Sequence, residues 1–598
     1  MALTKGQRNA PSMTGKGAIW SARQRFERMR GLLDLDRQTF MADWRDLGDF
    51  ILPRKMRQNV YDTNRGGRRN SNIIDSTGTF AARTLASGMM SGVTSPARPW
   101  FRLTVSDYEL AERADVRAWL DEVTDRMRHV LSKSNLYKVL PICYGDLGVF
   151  GTHAMMCVED EERTIRFYAF PVGSYYLAND GKGQVRVFLR EFRLTVRQLV
   201  DRFGQRNAAG EVDWSNFSTP IKSLWDNHTR DAWVDVVHVI EPNDQWNPKK
   251  LESKFKRFRS VYYERGVNKA QDLQSGDVGE SFLEDKGFDE FPVFAPRWEV
   301  TGEDVYATTC PGMVCLGDIK QLQHGEKKAA KALDKMVDPP LVGPPGLMKS
   351  KTSLLPGDLT LTDESNDKKL RPIHEINIRL DLLENKQQII RARIQRGFFA
   401  DLFLMLDYQD AQNGASQKTA TEIQERHEEK LLALGPMLEN LTQELLDPMV
   451  TRVYNIMQRA GQLPPPPQEL QGQSFEVEYT SIMAQAQKLV GLGGIERAVS
   501  FIGNVAAAKQ DPTVWDKFDT DQAIDEYGES AGLPSRLIVP DEKVAAIRKA
   551  RQDAVNQQQQ AALANQASSA ALNLSKTDTG SKNALTDLLG NSAGGGQP

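Results

Sequence analysis

Apolar positions recur every three or four residues from about Trp20 to Pro53, at Phe26, Met29, Leu33, Phe40, Trp44, Leu47 and Ile51, and predict a helix there. The polar, glycine-containing stretch Asn59 to Asn70 predicts a loop. Helical spacing returns over Ile73 to Met90 and over Asp107 to Leu131, where Val116, Leu120, Val123, Met127 and Val130 share a face. The period then changes to two. Thr164–Phe170, Gln184–Phe192, Trp233–Ile240 and Arg257–Glu264 alternate, with β-branched and aromatic residues, and predict strands. Asp180-Gly181-Lys182-Gly183 predicts a turn before the second of them. Residues 20–310 thus predict an α+β region after a flexible N-terminus, 1–19, with a polar linker at Asn268 to Glu280.

The middle of the chain is predominantly helical. Cys315, Ile319, Leu322, Glu326, Ala329, Leu333 and Met336 form an apolar seam of alternating four- and three-residue steps with one charged interruption. A helix over about Val314 to Val337 is roughly 36 Å long. Asp338-Pro339-Pro340 ends it, because proline lacks the amide donor and restricts the residue before it. A Pro/Gly-rich excursion, 339–375, contains one predicted strand at Asp358–Thr362. A second helix is predicted from about Glu375 to Leu406, roughly 48 Å long. Ile376, Leu380, Leu383, Ile390, Ile394 and Phe398 form its apolar stripe. After a short loop, 408–418, the capping box Thr419-Ala420-Thr421-Glu422 opens a third helix. That helix bends at Pro436 and Pro448 and stops at Gly461. A strand follows at Ser474–Thr480, then helices within 481–556. From Gln557 the chain is too poor in large apolar residues to bury a core, so 557–598 predicts a disordered or weakly helical tail.

At 598 residues the length suits three to five domains. The net charge of −3 argues against tight duplex binding over a large surface. It does not argue against conducting DNA, since a channel that neutralised many phosphates would grip the duplex by counterion release. Four cysteines give no disulfide framework, and Cys310 and Cys315 read as reduced, buried apolar residues rather than metal ligands. No apolar run reaches the roughly 20 residues of a membrane span, and no secretory signal is expected, which points to a cytosol-like compartment.

Enzyme motifs fail on context. Gly528-Glu529-Ser530-Ala531-Gly532 matches a nucleophile elbow, but a helical run precedes it where a strand is required, so it reads as a helix end. Gly343 to Ser350 ends like a phosphate loop, yet Met348 stands where the second glycine belongs. Gly491-Leu492-Gly493-Gly494 lacks the strand and third glycine of a dinucleotide fingerprint, and His427 has no zinc-spaced partner. No catalytic constellation, cofactor site or metal site is expected.

Two long helices joined by a loop-rich excursion, then a short loop and a third kinked helix, resemble the portal (head-tail connector) family of short-tailed phages. The resemblance also rests on Ile74-Asp75-Ser76-Thr77 through Ala86-Ser87-Gly88-Met89 to Thr94-Ser95-Pro96-Ala97-Arg98-Pro99-Trp100-Phe101. Further matches are Phe291-Pro292-Val293, Arg297-Trp298, Gly302-Glu303, Gly317-Asp318-Ile319-Lys320, Val337 to Pro340 and Thr421-Glu422-Ile423. These pieces occur in the family's order over roughly residues 20–556, with a local departure at Val305-Tyr306-Ala307. Trp100 and Trp298 read as core residues.

The resemblance implies a non-enzymatic ring, normally a dodecamer, at one capsid vertex, assembled in the host cytoplasm. Double-stranded DNA would pass through it. It would dock the terminase large subunit, then tail adaptor and nozzle proteins, within a shell of major capsid and scaffolding proteins. It further implies a wing (20–310), stem helices (311–338 and 376–407), a clip (339–375), a tunnel loop (408–418), a return helix with a wing strand (419–480) and a helical crown (481–556). Candidate channel residues are Gln412, Asn413, Gly414, Ala415 and Ser416 in the loop, and Lys320, Lys327, Lys331 and Lys335 on the first stem helix. The loop also reads as an ordinary surface turn, and the lysines, with His324, as a solvated helix face. Alternatives are a terminase-like packaging enzyme and an internal virion or ejection protein.

Overall fold

The computed structural model describes residues 22–62, 66–107, 110–111, 113–206, 210–266, 282–337, 341–342, 371–372, 380–404, 434–470, 475–480, 498–509, 515, 517–530, 539 and 541–575. The chain divides into two compact units, Met1–Val490 and Gly491–Pro598.

The first unit opens with α1 (Ala22–Phe50) and α2 (Thr77–Gly92), then β1 (Phe101–Val105), α3 (Ala114–Lys133) and α4 (Leu136–Phe150). In α4, Leu136, Val139, Leu140, Cys143, Tyr144, Leu147, Val149 and Phe150 are buried all round the helix, as suits an element lying inside a core. Strands β2 (Ala154–Asp160) and β3 (Thr164–Phe170) pair antiparallel. Next come β4 (Tyr175–Asn179), β5 (Val185–Thr195), α5 (Val196–Phe203), α6 (Thr219–Asp226), β6 (Trp233–Pro242), β7 (Phe258–Glu264), β8 (Glu284–Phe288) and β9 (Val293–Phe294). β4 to β8 form one antiparallel sheet in chain order, while β9 joins the other edge of β2. The predicted turn connects β4 to β5, with Asp180 N donating to Gln184 O at 2.7 Å and Gly183 at φ +77°.

Alternation decides which side of the five-stranded sheet each residue packs on. Phe26 and Leu33 of α1 meet Tyr176, Leu189, Val237, Val239, Val261 and Tyr263. Val236 and Tyr262 turn the other way, toward Val196, Leu199, Phe203 and Ile221 of α5 and α6. The main core gathers Trp44, Leu85, Met89, Tyr144, Phe150, Phe167 and Met449. Trp100 and Trp298 are buried, as their sequence setting predicts. So are all four cysteines. Burial pushes the thiols of Cys157 and Cys310 up to about 12 and that of Cys315 up to about 11, and holds Cys143 well above its ordinary value.

The later part of this unit holds α7 (Pro311–Val337), the short pair β10 (Leu341–Val342) and β11 (Arg371–Pro372), α8 (Leu380–Gly397), α9 (Ala400–Leu404), α10 (Gly435–Leu441) and α11 (Asp447–Arg459). A π-helical turn, Thr442–Leu446, joins α10 to α11 just before Pro448. Strand β12 (Phe475–Tyr479) returns to pair antiparallel with β1. The helix predicted as unbroken over 376–407 is interrupted: α8 ends at Gly397, and Phe399 adopts φ +54° before α9 begins. The strand expected at 358–362 and the cap at 419–422 lie outside the described residues.

In the second unit the described helices are α12 (498–509), α13 (Thr520–Ser530) and α14 (Asp541–Ser575). The residues before Ser530 are helical, where a nucleophile elbow requires a strand. α14 runs well past Gln557, where the sequence predicts a disordered or weakly helical tail. Its exposed Ala, Gln and Asn residues bury no core, so alanine's intrinsic helix preference is what extends it.

Candidate functional site

The candidate channel lysines lie on α7, whose position is set by what it buries. Cys315, Ile319, Leu322 and Gln323 are buried, as are Ile390 and Ile394 of α8. The two helices run antiparallel: Gly397 faces Cys315, Arg393 pairs with Asp318 at 3.2 Å, and Arg391 pairs with Glu326 at 2.5 Å. A Cβ on Gly397 would stand 2.2 Å from the Cys315 sulfur, so glycine is what lets the helices approach there.

Polar contacts tie this pair to the start of α2. Gln323 Oε1 accepts from the backbone of Ile74 and Asp75 at 2.7 and 2.8 Å, and its Nε2 donates to Asp75 O at 2.7 Å. Arg391 Nε donates to Asp75 Oδ2 at 2.9 Å, while Asp75 Oδ1 accepts from Thr77 N at 2.7 Å. Burial works against the ionised Asp75 carboxyl, but hydrogen bonds from Thr77 and Arg391 outweigh it and hold the group below the usual carboxylate range. Gly78 packs directly on Ile319.

A second knot holds the returning helix. Arg297 is buried and forks onto Glu444 of the π-helical turn, with Nε to Oε1 at 3.0 Å and its own backbone N to Oε2 at 2.8 Å. Its remaining donors reach Asp304 O at 3.0 Å and Gly183 O at 2.9 Å. Arg452, buried in α11, donates to Cys157 O at 3.0 Å and to Glu290 Oε2 at 3.1 Å. Sequence reasoning picked out Arg297 but assigned no role to Glu444 or Arg452, whose partners lie 147 and 162 residues away.

The four candidate lysines do not share one environment. Lys320 donates to Asp46 of α1 at 2.6 Å and sits over the Phe50 ring, which makes it a tether inside the protomer. Lys327, Lys331 and Lys335 are exposed on the half of α7 that leaves the core. That half also exposes the end of the apolar seam: Leu333 is 50% exposed, Met336 41% and Val337 78%. Gln412 to Ser416 lie outside the described residues, as does His427. Among the described residues no group of three or more His, Cys, Asp or Glu side chains could hold a metal ion. No described helix is long and apolar enough to cross a membrane.

Residues 21–539 match the family described as bacteriophage head to tail connecting protein. The chain belongs to that family. Among curated relatives, the portal protein of Salmonella phage epsilon15 is 44% identical over 578 residues, covering 96% of this chain and 99% of the relative. A protein of Bordetella phage BPP-1 named "Probable portal protein" is 41% identical over 560 residues, covering 93% and 96%. One solved structure, the virion of a native gene transfer agent particle, matches at 10% identity and a TM-score of 0.33, over 72% of this chain and 86% of that one. As a head-to-tail connecting protein, the chain serves phage portal function, with capsid and tail as its surroundings and the virion as its location.

Proposed function

We propose that the protein acts as a closed ring of identical subunits, normally twelve, through which double-stranded DNA enters and leaves the capsid at one vertex. The role is structural and non-catalytic. Partners in turn are the terminase large subunit, tail adaptor and nozzle proteins, and major capsid and scaffolding proteins, with assembly in the host cytoplasm. In this reading 20–310 is the wing, 311–338 and 376–407 the stem, 339–375 the clip, 408–418 the tunnel loop, 419–480 the return helix and wing strand, and 481–556 the crown. The observation that supports it best is the outer half of α7, where the seam of Leu333, Met336 and Val337 continues beyond the protomer's own core. Apolar helix edges left open in a protomer are suited to a second copy, and head-to-tail contacts between copies close into cyclic rings. Lys327, Lys331 and Lys335 then stand as candidates for the channel wall, while Lys320 is occupied by Asp46. Negative-stain microscopy and light scattering of the purified chain test this: rings with a central hole are expected, and monomers or open filaments across a range of salt would refute it.

A further inference from the structure

The residues that follow α8 depart from the conformation their sequence favours. Phe398-Phe399-Ala400-Asp401-Leu402-Phe403-Leu404 contains no proline or glycine, and its apolar spacing continues that of α8. A glycine does stand just before it, and a glycine after a helix commonly takes the left-handed turn at little cost. Gly397 does not take it. The positive φ falls two residues later, on Phe399, where an L side chain is strained.

What holds the strained turn comes from other parts of the protomer. The Phe399 ring stacks on Trp298 with centroids 6.4 Å apart. Phe403 presses on α2 so closely that a Cβ on Gly88 would lie 2.1 Å from its ring. Phe398, Ala400 and Leu402 are buried around these contacts. Local preference therefore pulls toward a straight helix, and packing against Trp298 and α2 pulls toward a bend. Strain kept in place only by surrounding contacts is what a two-position element needs.

We infer that 380–404 is a two-state helix, bent at Phe399 while Trp298 and Gly88 hold it, and straight when they let go. Straightening moves Phe399 to an ordinary helical φ and lifts Phe403 from α2. Because α2 is also pinned to α7 and α8 through Asp75, Gln323 and Arg391, a shift of α2 against that pair acts directly on the seat of Phe403.

Paired spin labels at Lys386→Cys and Asp401→Cys test this in the full-length chain, diluted with unlabelled protein so that each distance arises within one subunit. The native thiols are buried and stay unlabelled. A straight helix separates the two positions by about 22 Å along its axis, and the bend shortens that distance. Two distances are expected in the otherwise wild-type chain. Phe399→Gly and Phe399→Ala both lose the stack, but glycine takes the left-handed turn without strain, so the share of the shorter distance should be higher in the glycine variant than in the alanine one. Trp298→Ala, which removes the stack, should raise the share of the longer by about two- to ten-fold. If Trp298→Ala does not fold, Phe399→Ala loses the same stack and should shift the share in the same direction. A single short distance that neither stack-removing change alters would overturn the inference, as would a second distance that neither one moves.

Discussion

Arg297 shows how much of this fold rests on single buried charges. Glu444→Ala would leave its guanidinium enclosed without a counter-charge, and removing one partner of a buried pair costs about 3 kcal/mol or more. A clear fall in denaturant midpoint is expected, with Glu444→Gln intermediate because one carbonyl acceptor remains. Asp75 gives a pH signature. Its folded pKa lies below the unfolded value, so its contribution is present above about pH 4 and is lost as pH falls through the depressed folded value. Buried Glu241 and Glu264 shift the opposite way, so the net acid profile mixes both signs. The difference between wild type and Asp75→Asn isolates the contribution of this carboxylate. That difference should shrink on acidification below pH 4, and a difference constant from pH 7 to pH 3 would refute the assignment.

Among elements, the α7–α8 crossing makes a paired prediction. Gly397→Ala drives a methyl into the Cys315 sulfur, an overpacking that costs about 1–3 kcal/mol. Cys315→Ala opens that space, so the double variant should recover much of the loss in thermal or denaturant unfolding. Additive losses would mean the helices had moved apart instead. The same elements mark what the sequence could and could not tell. Thr164–Phe170 alternates cleanly and is β3, and the α7 seam predicts a helix reaching Val337. β2 begins with the apolar run Ala154-Met155-Met156-Cys157, and α4 carries apolar residues on every side with only Lys138 and Asp146 charged, so neither shows a one-sided pattern to read. The bend at Phe399 is invisible locally because Trp298 and Gly88 impose it. Among the candidate site residues, the lysine spacing was legible along the chain, but the tie between Lys320 and Asp46 spans 274 residues. Spacing on one helix cannot separate a tether from a free cation.

For the molecule as a whole, the predictions concern DNA passage without loss of assembly. Removing Asn413 to Ser416 should leave rings intact, since small changes in loop length cost only fractions of a kcal/mol. Protected DNA per capsid should fall in a packaging assay, and unchanged packaging and retention would make this loop an ordinary surface turn. Replacing Lys327, Lys331 and Lys335 together by glutamine should likewise spare the ring, because all three are exposed, while altering the salt dependence of DNA passage. Unaltered passage at every salt concentration would assign these lysines to a solvated face.

The four enclosed thiols carry a consequence for the life of a particle. A phage protein is made in a reducing cell and then spends its extracellular existence in air. Thiolate is the form that oxidises, and burial keeps these cysteines protonated and out of reach. The four thiols can therefore cross that redox boundary unoxidised. A thiol-specific chromogenic reagent at pH 8 should stay colourless over the folded protein and develop only as fast as the chain unfolds, so the cysteines act as a clock on the integrity of the core.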